Sequence, residues 1–303
     1  MSCKFNKISG FNFLVRMIFS CNWNIIIFNF ALNHNIVVVF TGERKLNVMK
    51  KTRVSIVSYL NSRPFLFGLN KSSVAKSIEM SLDIPSKIVA KLDFGLADIG
   101  LIPVAGLQDL GDYKIVSDFC IGSINKVRTV VLVSEVPLEQ IDTVLMDYQS
   151  RSSVLLSKVL AKFFWKKEFK WENTCNDFQN ISIKGNTAGV VIGDRVFDIE
   201  NKYKYCYDLS EEWFKFTGLP FVFAVWASTK NITESFESAF NSALAFGIQN
   251  ISKIVKMEQT NYPNVNIYDY FTKNISFSFD ENKKAGMKKF LELAKHLEPV
   301  ELL

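Results

Sequence analysis

Histidine is nearly absent from this chain of 303 residues, which contains only His34 and His296. Histidine is the usual general base near neutral pH, so a Ser-His-Asp or Cys-His mechanism is hard to assemble. His296 falls in the last predicted helix, where we expect a surface position. The motifs G-x-x-x-x-G-K-S/T, G-x-G-x-x-G and H-E-x-x-H are also missing. P-loop, nicotinamide and metal-hydrolase chemistry therefore lack support, and we expect no cofactor and no metal.

The cysteines do not form a metal site or a disulfide framework, because no pair has ligand spacing and their number is odd. They are Cys3, Cys21, Cys120, Cys175 and Cys206. We expect reduced, buried thiols of a cytoplasmic protein.

Excess charge of one sign is missing from most of the chain. The formal net charge is +6, but residues 1–48 hold five basic side chains against one acidic, a net of 5 − 1 = +4. The remainder carries 6 − 4 = +2. The near-neutral charge of these remaining residues does not indicate a basic surface that binds nucleic acid, so we expect no nucleic-acid partner.

A long hydrophobic run is also lacking. The most apolar N-terminal stretch, residues 25–40, is interrupted by Asn29, Asn33, His34 and Asn35. It is shorter than a membrane span and has no signal-peptide cleavage pattern. We predict that residues 1–48 are a non-native or disordered extension and that the native protein begins at Met49. A poorly cleaved signal or membrane anchor is the alternative; otherwise no membrane contact is expected.

Strand and helix patterns alternate from residue 52 onward, which is typical of α/β proteins. Strands are predicted at 53–57, 97–104, 114–120, 127–134, 141–146, 188–192 and 221–226. Helices are predicted at 72–82, 85–93, 154–165, 211–217, 232–256 and 281–298. We therefore expect mixed, mostly parallel sheets flanked by helices. The aromatic side chains at 213, 214, 216, 221 and 223 are expected to lie in the core.

The order of these elements predicts two lobes. Residues 49–136 and 225–303 form the first lobe, and residues 137–224 form an inserted second lobe. Ligands of such proteins bind in the cleft between lobes. Polar turns at 58–64, 150–153 and 193–195 follow predicted strands, and we expect all three to face that cleft.

The chemistry available at these turns consists mainly of hydroxyl and amide groups. Ser150, Ser152 and Ser153 stand directly before an apolar helix, whose free N–H groups favour a carboxylate. Plain helix capping by Ser152 or Ser153 is the alternative. Asn61 offers a donor and an acceptor to a hydroxyl or ether oxygen. Arg151 is either an anion ligand or a solvated surface charge.

One carboxylate also lies at a predicted strand end. Asp194 directly follows Gly193 there, so a catalytic role and a helix-capping role are both open.

Six of these segments, taken in order, resemble the chorismate dehydratase family of the futalosine route to menaquinone. They lie at 59–64, 98–104, 127–130, 147–153, 192–194 and 217–226. The resemblance covers about residues 52–298 and has no counterpart for residues 1–48. It implies a type II periplasmic-binding-protein-like fold in a cytoplasmic lyase, acting as a monomer or homodimer.

The implied reaction removes water from chorismate, the small-molecule substrate, and gives 3-(1-carboxyvinyloxy)benzoate. Asn61 and Thr129 are then expected to bond the reacting hydroxyl and carboxylate, although the family commonly has serine at the position of Thr129. The resemblance assigns substrate binding to Ser62, Ser150, Arg151, Ser152, Ser153 and Gly193. The base is either Asp194 or the enolpyruvyl carboxylate of the substrate itself.

Three alternatives remain at this point. A sibling family of the same fold closes the naphthoate ring and relies on a cleft histidine, which the predicted cleft turns lack. An exported solute-binding protein for a small anion would need residues 1–48 as its signal. A regulatory ligand-binding domain would need a partner module, and no helix-turn-helix is visible.

Overall fold

A computed structural model describes residues 14–20, 23–29, 35–38, 51–174 and 182–297. The chain divides into two units, residues 1–50 and residues 51–303. In the first unit, strands β1 (Leu14–Ser20), β2 (Trp23–Asn29) and β3 (Asn35–Val38) pair in antiparallel fashion. The rest of that unit lies outside the described residues, and the prediction that residues 1–48 are an extension stays a prediction.

The second unit contains the predicted α/β body. Its strands are β4 (Thr52–Val57), β5 (Ile78–Asp83), β6 (Ile99–Pro103), β7 (Lys114–Ser123), β8 (Val130–Ser134), β9 (Thr143–Met146), β10 (Lys170–Asn173), β11 (Thr187–Ile192), β12 (Tyr205–Asp208), β13 (Phe221–Ser228) and β14 (Ser276–Ser278). Its α-helices are α1 (Arg63–Lys71), α2 (Pro85–Asp93), α3 (Arg151–Val159), α4 (Val196–Ile199), α5 (Leu209–Thr217), α6 (Glu234–Gln249), α7 (Ile251–Glu258), α8 (Ile267–Asp269) and α9 (Glu281–Ala294).

Two mixed sheets organise this body, and we call each sheet with its helices a lobe. The first lobe has six strands in the order β14-β7-β13-β6-β4-β5, and the second has five in the order β10-β9-β11-β8-β12. Parallel pairs join β4 to β5 and β6, and β9 to β10 and β11. The remaining pairs are antiparallel. The predicted mixed α/β architecture is confirmed, but the sheets are not mostly parallel, because five of their nine strand pairs among the described residues are antiparallel.

The chain passes between the lobes twice, after β7 and before β13. The strand Val130–Ser134, assigned by sequence to the first lobe, pairs within the second sheet. Residues 221–224, assigned by sequence to the second lobe, belong to β13 and pair within the first sheet. At the first crossing, the Asp208 carboxylate accepts the backbone N–H groups of Val127 at 3.2 Å and Arg128 at 2.6 Å. The φ angle of Arg128 is +70°, a conformation that non-glycine residues rarely adopt without local support. Asp208 thus fixes the entry into the second lobe.

Local sequence rules explain most elements. Pro85 begins α2, as predicted, because the missing N–H of proline is not needed in a first turn. The helix predicted over 72–82 is wrong, since this segment forms a 3-10 turn, Ser73–Lys76, and then strand β5. β5 is an edge strand whose Leu82 is exposed, so its apolar pattern is weak and its pairing with β4 decides the structure.

The aromatic prediction holds for part of its set. Trp213 and Phe221 are fully buried and lie 5.6 Å apart between ring centroids. Phe214 and Phe216 are half-buried. The prediction of a core position is corrected for Phe223, which lines the cavity between the lobes that is described below. Its ring still lies 4.7 Å from that of Phe221 between centroids, and the residue is only half-buried.

The remaining expectations concern histidine, cysteine and membranes. His296 is exposed near the end of α9, as predicted, whereas His34 lies outside the described residues. Cys120 is buried and free, but Cys206 is exposed, so the prediction of buried thiols is wrong for Cys206. Cys3, Cys21 and Cys175 lie outside the described residues. Among the helices that the structure describes, none has the length and apolar character needed to cross a membrane.

Candidate functional site

A cavity between the two lobes receives all three polar turns. The space between its walls, including the part that is open to solvent, is about 560 Å³. Asn61 comes from the turn after β4, Ser150 and Ser153 from the start of α3, and Gly193 from the turn after β11. Thr129 lines it from the first crossing between lobes. Much of the wall is apolar, and includes Leu101, Pro103, Ile121, Val127, Val130 and Phe223.

The turn after β4 presents the side chain of Asn61. A 3-10 turn, Leu60–Ser62, leads directly into α1, whose second residue is Pro64. The Ser62 hydroxyl donates to the backbone oxygens of Val57 at 2.6 Å and Tyr59 at 2.8 Å, so it shapes the turn and does not line the cavity. The Asn61 Oδ1 atom is buried and has no hydrogen-bond partner among the described residues. A buried acceptor of this kind is costly unless a ligand supplies a donor.

The start of α3 brings two serines to the cavity and turns two neighbouring residues away. The helix cap is Ser150 and not, as predicted, Ser152 or Ser153: the Ser150 Oγ accepts from the backbone N–H of Ser153 at 3.3 Å and lies 2.9 Å from the Ser153 hydroxyl. Ser152 instead accepts from the backbone N–H of Ala105 at 3.0 Å. Arg151 forms an ion pair with Asp109. Both contacts tie the second lobe to the first, outside the cavity lining.

Helix capping by Ser150 does not use all of the backbone N–H donors at the start of α3. The first N–H groups of a helix have no carbonyl partner within it, and the positive end of the helix dipole lies there. Because Ser150 and Ser153 line the cavity, this end of α3 favours a negatively charged oxygen in it.

Asp147 fixes the two turns of the second lobe relative to each other. Its carboxylate is fully buried and accepts from the backbone N–H groups of Gln149 at 2.9 Å and Ile192 at 3.1 Å. The Arg195 guanidinium donates to it at 2.6 Å. Burial raises the pKa of Asp147, while Arg195 opposes that shift. The serine turn and the Gly193 turn therefore form one rigid wall.

Gly193 allows the first lobe to approach this wall closely. Its φ angle is +70°, and a Cβ atom here would lie 3.3 Å from the Tyr59 ring. The backbone N–H of Gly193 donates to the Thr129 carbonyl oxygen at 2.9 Å. The Tyr59 hydroxyl donates to Gln149 Oε1 at 2.8 Å, which joins the lobes beside the cavity.

Asp194 joins the lobes at a second point and does not line the cavity. Its carboxylate accepts the Leu60 backbone N–H at 3.1 Å and the Tyr262 hydroxyl at 2.7 Å. Burial raises the pKa of Asp194, and the hydrogen bond from Tyr262 opposes that shift. These contacts indicate that Asp194 joins the two lobes. The role of Asp194 as the base stays a prediction, which this geometry does not favour.

Replacement of Asp194 by asparagine separates these roles. An amide oxygen can still accept one of the two hydrogen bonds, so we expect Asp194→Asn to retain turnover and to lose about 1–2 kcal/mol of unfolding free energy. Steady-state kinetics and urea unfolding measure the two effects, with the exposed Asp142→Asn as matched control. A loss of turnover of about 100-fold or more in a folded variant would assign the base to Asp194.

Five of the nine predicted site residues line the cavity, and four do not. The five are Asn61, Thr129, Ser150, Ser153 and Gly193. The other four, Ser62, Arg151, Ser152 and Asp194, support the turns or join the lobes. Sequence reasoning missed Tyr59, Phe223 and Tyr270, of which the last bonds Thr129. Tyr59 stands two positions before Asn61 in the same polar turn, so its place in the sequence points to the cavity. Tyr270 is distant in sequence, and no sequence pattern connects it with the cavity.

A family model described as menaquinone biosynthesis matches residues 52–296, which is most of the chain. The chain belongs to the menaquinone biosynthesis family. This membership gives the protein a role in that pathway.

Solved structures support the fold of this menaquinone biosynthesis protein. Protein AF1704 from Archaeoglobus fulgidus is 15% identical, with a TM-score of 0.64, over 81% of this chain and 97% of that one. The Candida albicans CA3427 gene product, described as having the generic periplasmic binding protein fold, is 14% identical with a TM-score of 0.59 (83% and 92% covered). The Escherichia coli periplasmic aliphatic sulphonate binding protein SsuA is 11% identical with a TM-score of 0.51 (84% and 96% covered). The predicted periplasmic-binding-protein-like fold is confirmed.

Proposed function

We propose that this member of the menaquinone biosynthesis family is a chorismate dehydratase, which eliminates water from chorismate to give 3-(1-carboxyvinyloxy)benzoate. One observation carries the proposal. The hydroxyl and amide groups of Asn61, Thr129, Ser150 and Ser153 converge on a largely apolar cavity, and no histidine belongs to the lining that the structure describes. Such a cavity suits a reaction in which the substrate itself supplies the thermodynamic driving force, because the protein then needs no histidine as a base.

The polarity of the cavity matches the substrate. The start of α3, with Ser150 and Ser153, offers donors to the ring carboxylate. The unpartnered Asn61 Oδ1 atom accepts the proton of the ring hydroxyl. Phe223 and the aliphatic walls contact the ring faces, where burial of apolar surface favours binding. The ring carboxylate and the ring hydroxyl of chorismate thus each have a partner of opposite hydrogen-bonding character.

The elimination requires no protein carboxylate at the reacting atoms. The proton on the ether-bearing carbon moves to the enolpyruvyl carboxylate of the substrate, and the C–H electrons form a ring double bond. The adjacent C–O bond breaks, and the departing hydroxide takes that proton from the enolpyruvyl carboxyl group to become water, which leaves the product carboxylate ionised. Because the ring becomes aromatic, the protein mainly orients the groups and stabilises the developing charge. The occupied carboxylate of Asp194 is consistent with this assignment of the base.

The histidine-free lining also separates this proposal from its nearest rival. The ring-closing sibling enzyme is expected to use a histidine in the cleft. The described histidine, His296, lies exposed near the end of α9. A cavity lined by hydroxyl, amide and apolar groups favours the dehydratase over the cyclase.

Turnover distinguishes the dehydratase from a binding protein of the same fold. Purified protein is incubated with chorismate, and the loss of cyclohexadiene absorbance is followed over time against a heat-denatured sample. We expect catalytic consumption of chorismate far beyond the amount of protein. Saturable binding in calorimetry without consumption would instead show a non-catalytic binding protein.

A further inference from the structure

Tyr270 is a fully buried polar side chain beside the cavity. It begins a π-helical segment, Tyr270–Asn274, that follows α8 in the first lobe, and its relative exposure is 0%. Its ring packs edge-on against Phe197 of the second lobe, with centroids 5.4 Å apart. The Tyr270 hydroxyl lies 2.9 Å from Thr129 Oγ1. Single turns of π-helix often occur at functional sites.

The direction of this hydrogen bond follows from the available partners. Among the described residues, the Tyr270 hydroxyl has no partner other than Thr129. If Thr129 donated to Tyr270, the buried phenol proton would have no acceptor, which costs the full desolvation penalty of that donor. Tyr270 therefore donates to Thr129 Oγ1. Burial raises the pKa of Tyr270 above its ordinary value, so the phenol keeps its proton.

The hydroxyl proton of Thr129 is then left without a protein acceptor. Thr129 is 1% exposed, lines the cavity, and has no further side-chain partner among the described residues. Its β-branched side chain has few accessible χ1 rotamers. The cavity is thus the direction in which its proton can find an acceptor, and a bound ligand supplies that acceptor.

We propose that Tyr270 is a positioning residue, which donates to Thr129 and thereby commits the Thr129 hydroxyl to donate into the cavity. This inference rests on the proposed dehydratase function and deepens it. Thr129 becomes a dedicated donor to an acceptor oxygen of the substrate, such as a carboxylate or the departing hydroxyl oxygen. Asn61 Oδ1 is a dedicated acceptor in the same cavity.

The hydrogen-bond acceptor of Asn61 and the hydrogen-bond donor of Thr129 together select a class of substrate. A ligand must present a hydroxyl proton to Asn61 and an acceptor oxygen to Thr129. A cyclic hydroxy acid meets both requirements, whereas an acid without the hydroxyl leaves the Asn61 oxygen unpaired. An unpaired buried group gives strong discrimination, because the lost partner cannot be replaced by water.

A double-mutant cycle tests the role of Tyr270. Tyr270→Phe keeps the ring and removes the donor, Thr129→Val removes the hydroxyl, and Thr129→Ser keeps it. We expect Tyr270→Phe to lower kcat/KM for chorismate about 10-fold in wild-type and Thr129→Ser backgrounds, and to have little further effect in the Thr129→Val background. Tyr207→Phe is the matched control, since its hydroxyl accepts from the Leu138 backbone N–H and does not line the cavity.

The outcomes separate this inference from the function on which it rests. Equal losses in the Thr129→Val and wild-type backgrounds, with chorismate still consumed, would overturn the positioning role alone. Failure of folded wild-type protein to consume chorismate would overturn the proposed function and this inference with it. Circular dichroism and urea unfolding confirm that each variant is folded, and a Tyr270→Phe loss that merely tracks lower stability would also count against the inference.

Discussion

Asn61→Ala is expected to lower kcat/KM for chorismate by about 100-fold or more, with little change in stability. The Asn61 side chain lines the cavity and its Oδ1 atom has no partner among the described residues, so its removal leaves no protein group unpaired. In the proposed reaction its Oδ1 atom accepts from the hydroxyl that departs and so orients the C–O bond that breaks, and correct orientation of the reacting groups contributes strongly to catalysis. Steady-state kinetics with purified variant measures the loss.

A surface asparagine supplies the control for this variant. Asn186→Ala removes an exposed amide that donates to Asp142 in the second lobe, and we expect unchanged kinetics. Calorimetry with the reaction product tests whether Asn61→Ala still binds at the start of α3. Wild-type turnover by Asn61→Ala would show that this amide does not contact the reacting hydroxyl.

Gly247→Ala is expected to destabilise the protein by roughly 3 kcal/mol or more. Helices α1 and α6 cross at Gly68 and Gly247, and a Cβ atom at Gly247 would lie 1.8 Å from the Pro64 carbonyl oxygen. Because this neighbour is backbone, the helices must move apart. α1 directly follows the turn that carries Asn61, so the movement should also reduce turnover.

Urea unfolding compares Gly247→Ala with a matched glycine. Gly111→Ala adds the same methyl group at an exposed position where no atom lies within 4 Å, and we expect its effect on unfolding free energy to be within about 0.5 kcal/mol. Equal unfolding midpoints for the two variants would contradict the close helix crossing.

The position of the cavity could be predicted from sequence because it depends on local patterns. Strands that end in polar turns place those turns at one edge of a sheet, where ligands of α/β proteins bind. Asn61, Ser150 and Gly193 were found in this way, and all three line one cavity. The two lobes followed from the alternation of strand and helix patterns.

The direction of each side chain could not be predicted in this way. Ser62 and Ser152 stand in the correct turns, but their hydroxyls bond backbone groups at Val57 and Ala105. Which serine caps, supports or faces a ligand depends on neighbours that arrive from distant parts of the chain. Tyr270 illustrates the limit, since it meets Thr129 across 141 positions of sequence.

Edge strands are also difficult to predict from sequence. β5 and β14 lie at the two ends of the six-stranded sheet. Each has one neighbour, and exposed positions dilute its alternation. The sequence of β5 therefore favours a helix, and the sequence of β14 predicts no strand. Tertiary pairing, not intrinsic propensity, determines such strands.

Proton NMR of chorismate mixed with catalytic amounts of the folded protein tests the central claim most directly. The proposed dehydratase replaces the cyclohexadiene signals with those of a meta-substituted aromatic ring and leaves the enolpyruvyl vinyl signals in place. Retention of the vinyl group excludes cleavage to pyruvate and rearrangement of the side chain. Chorismate signals that persist unchanged beside folded protein, or an aromatic product without its vinyl group, would contradict the proposal.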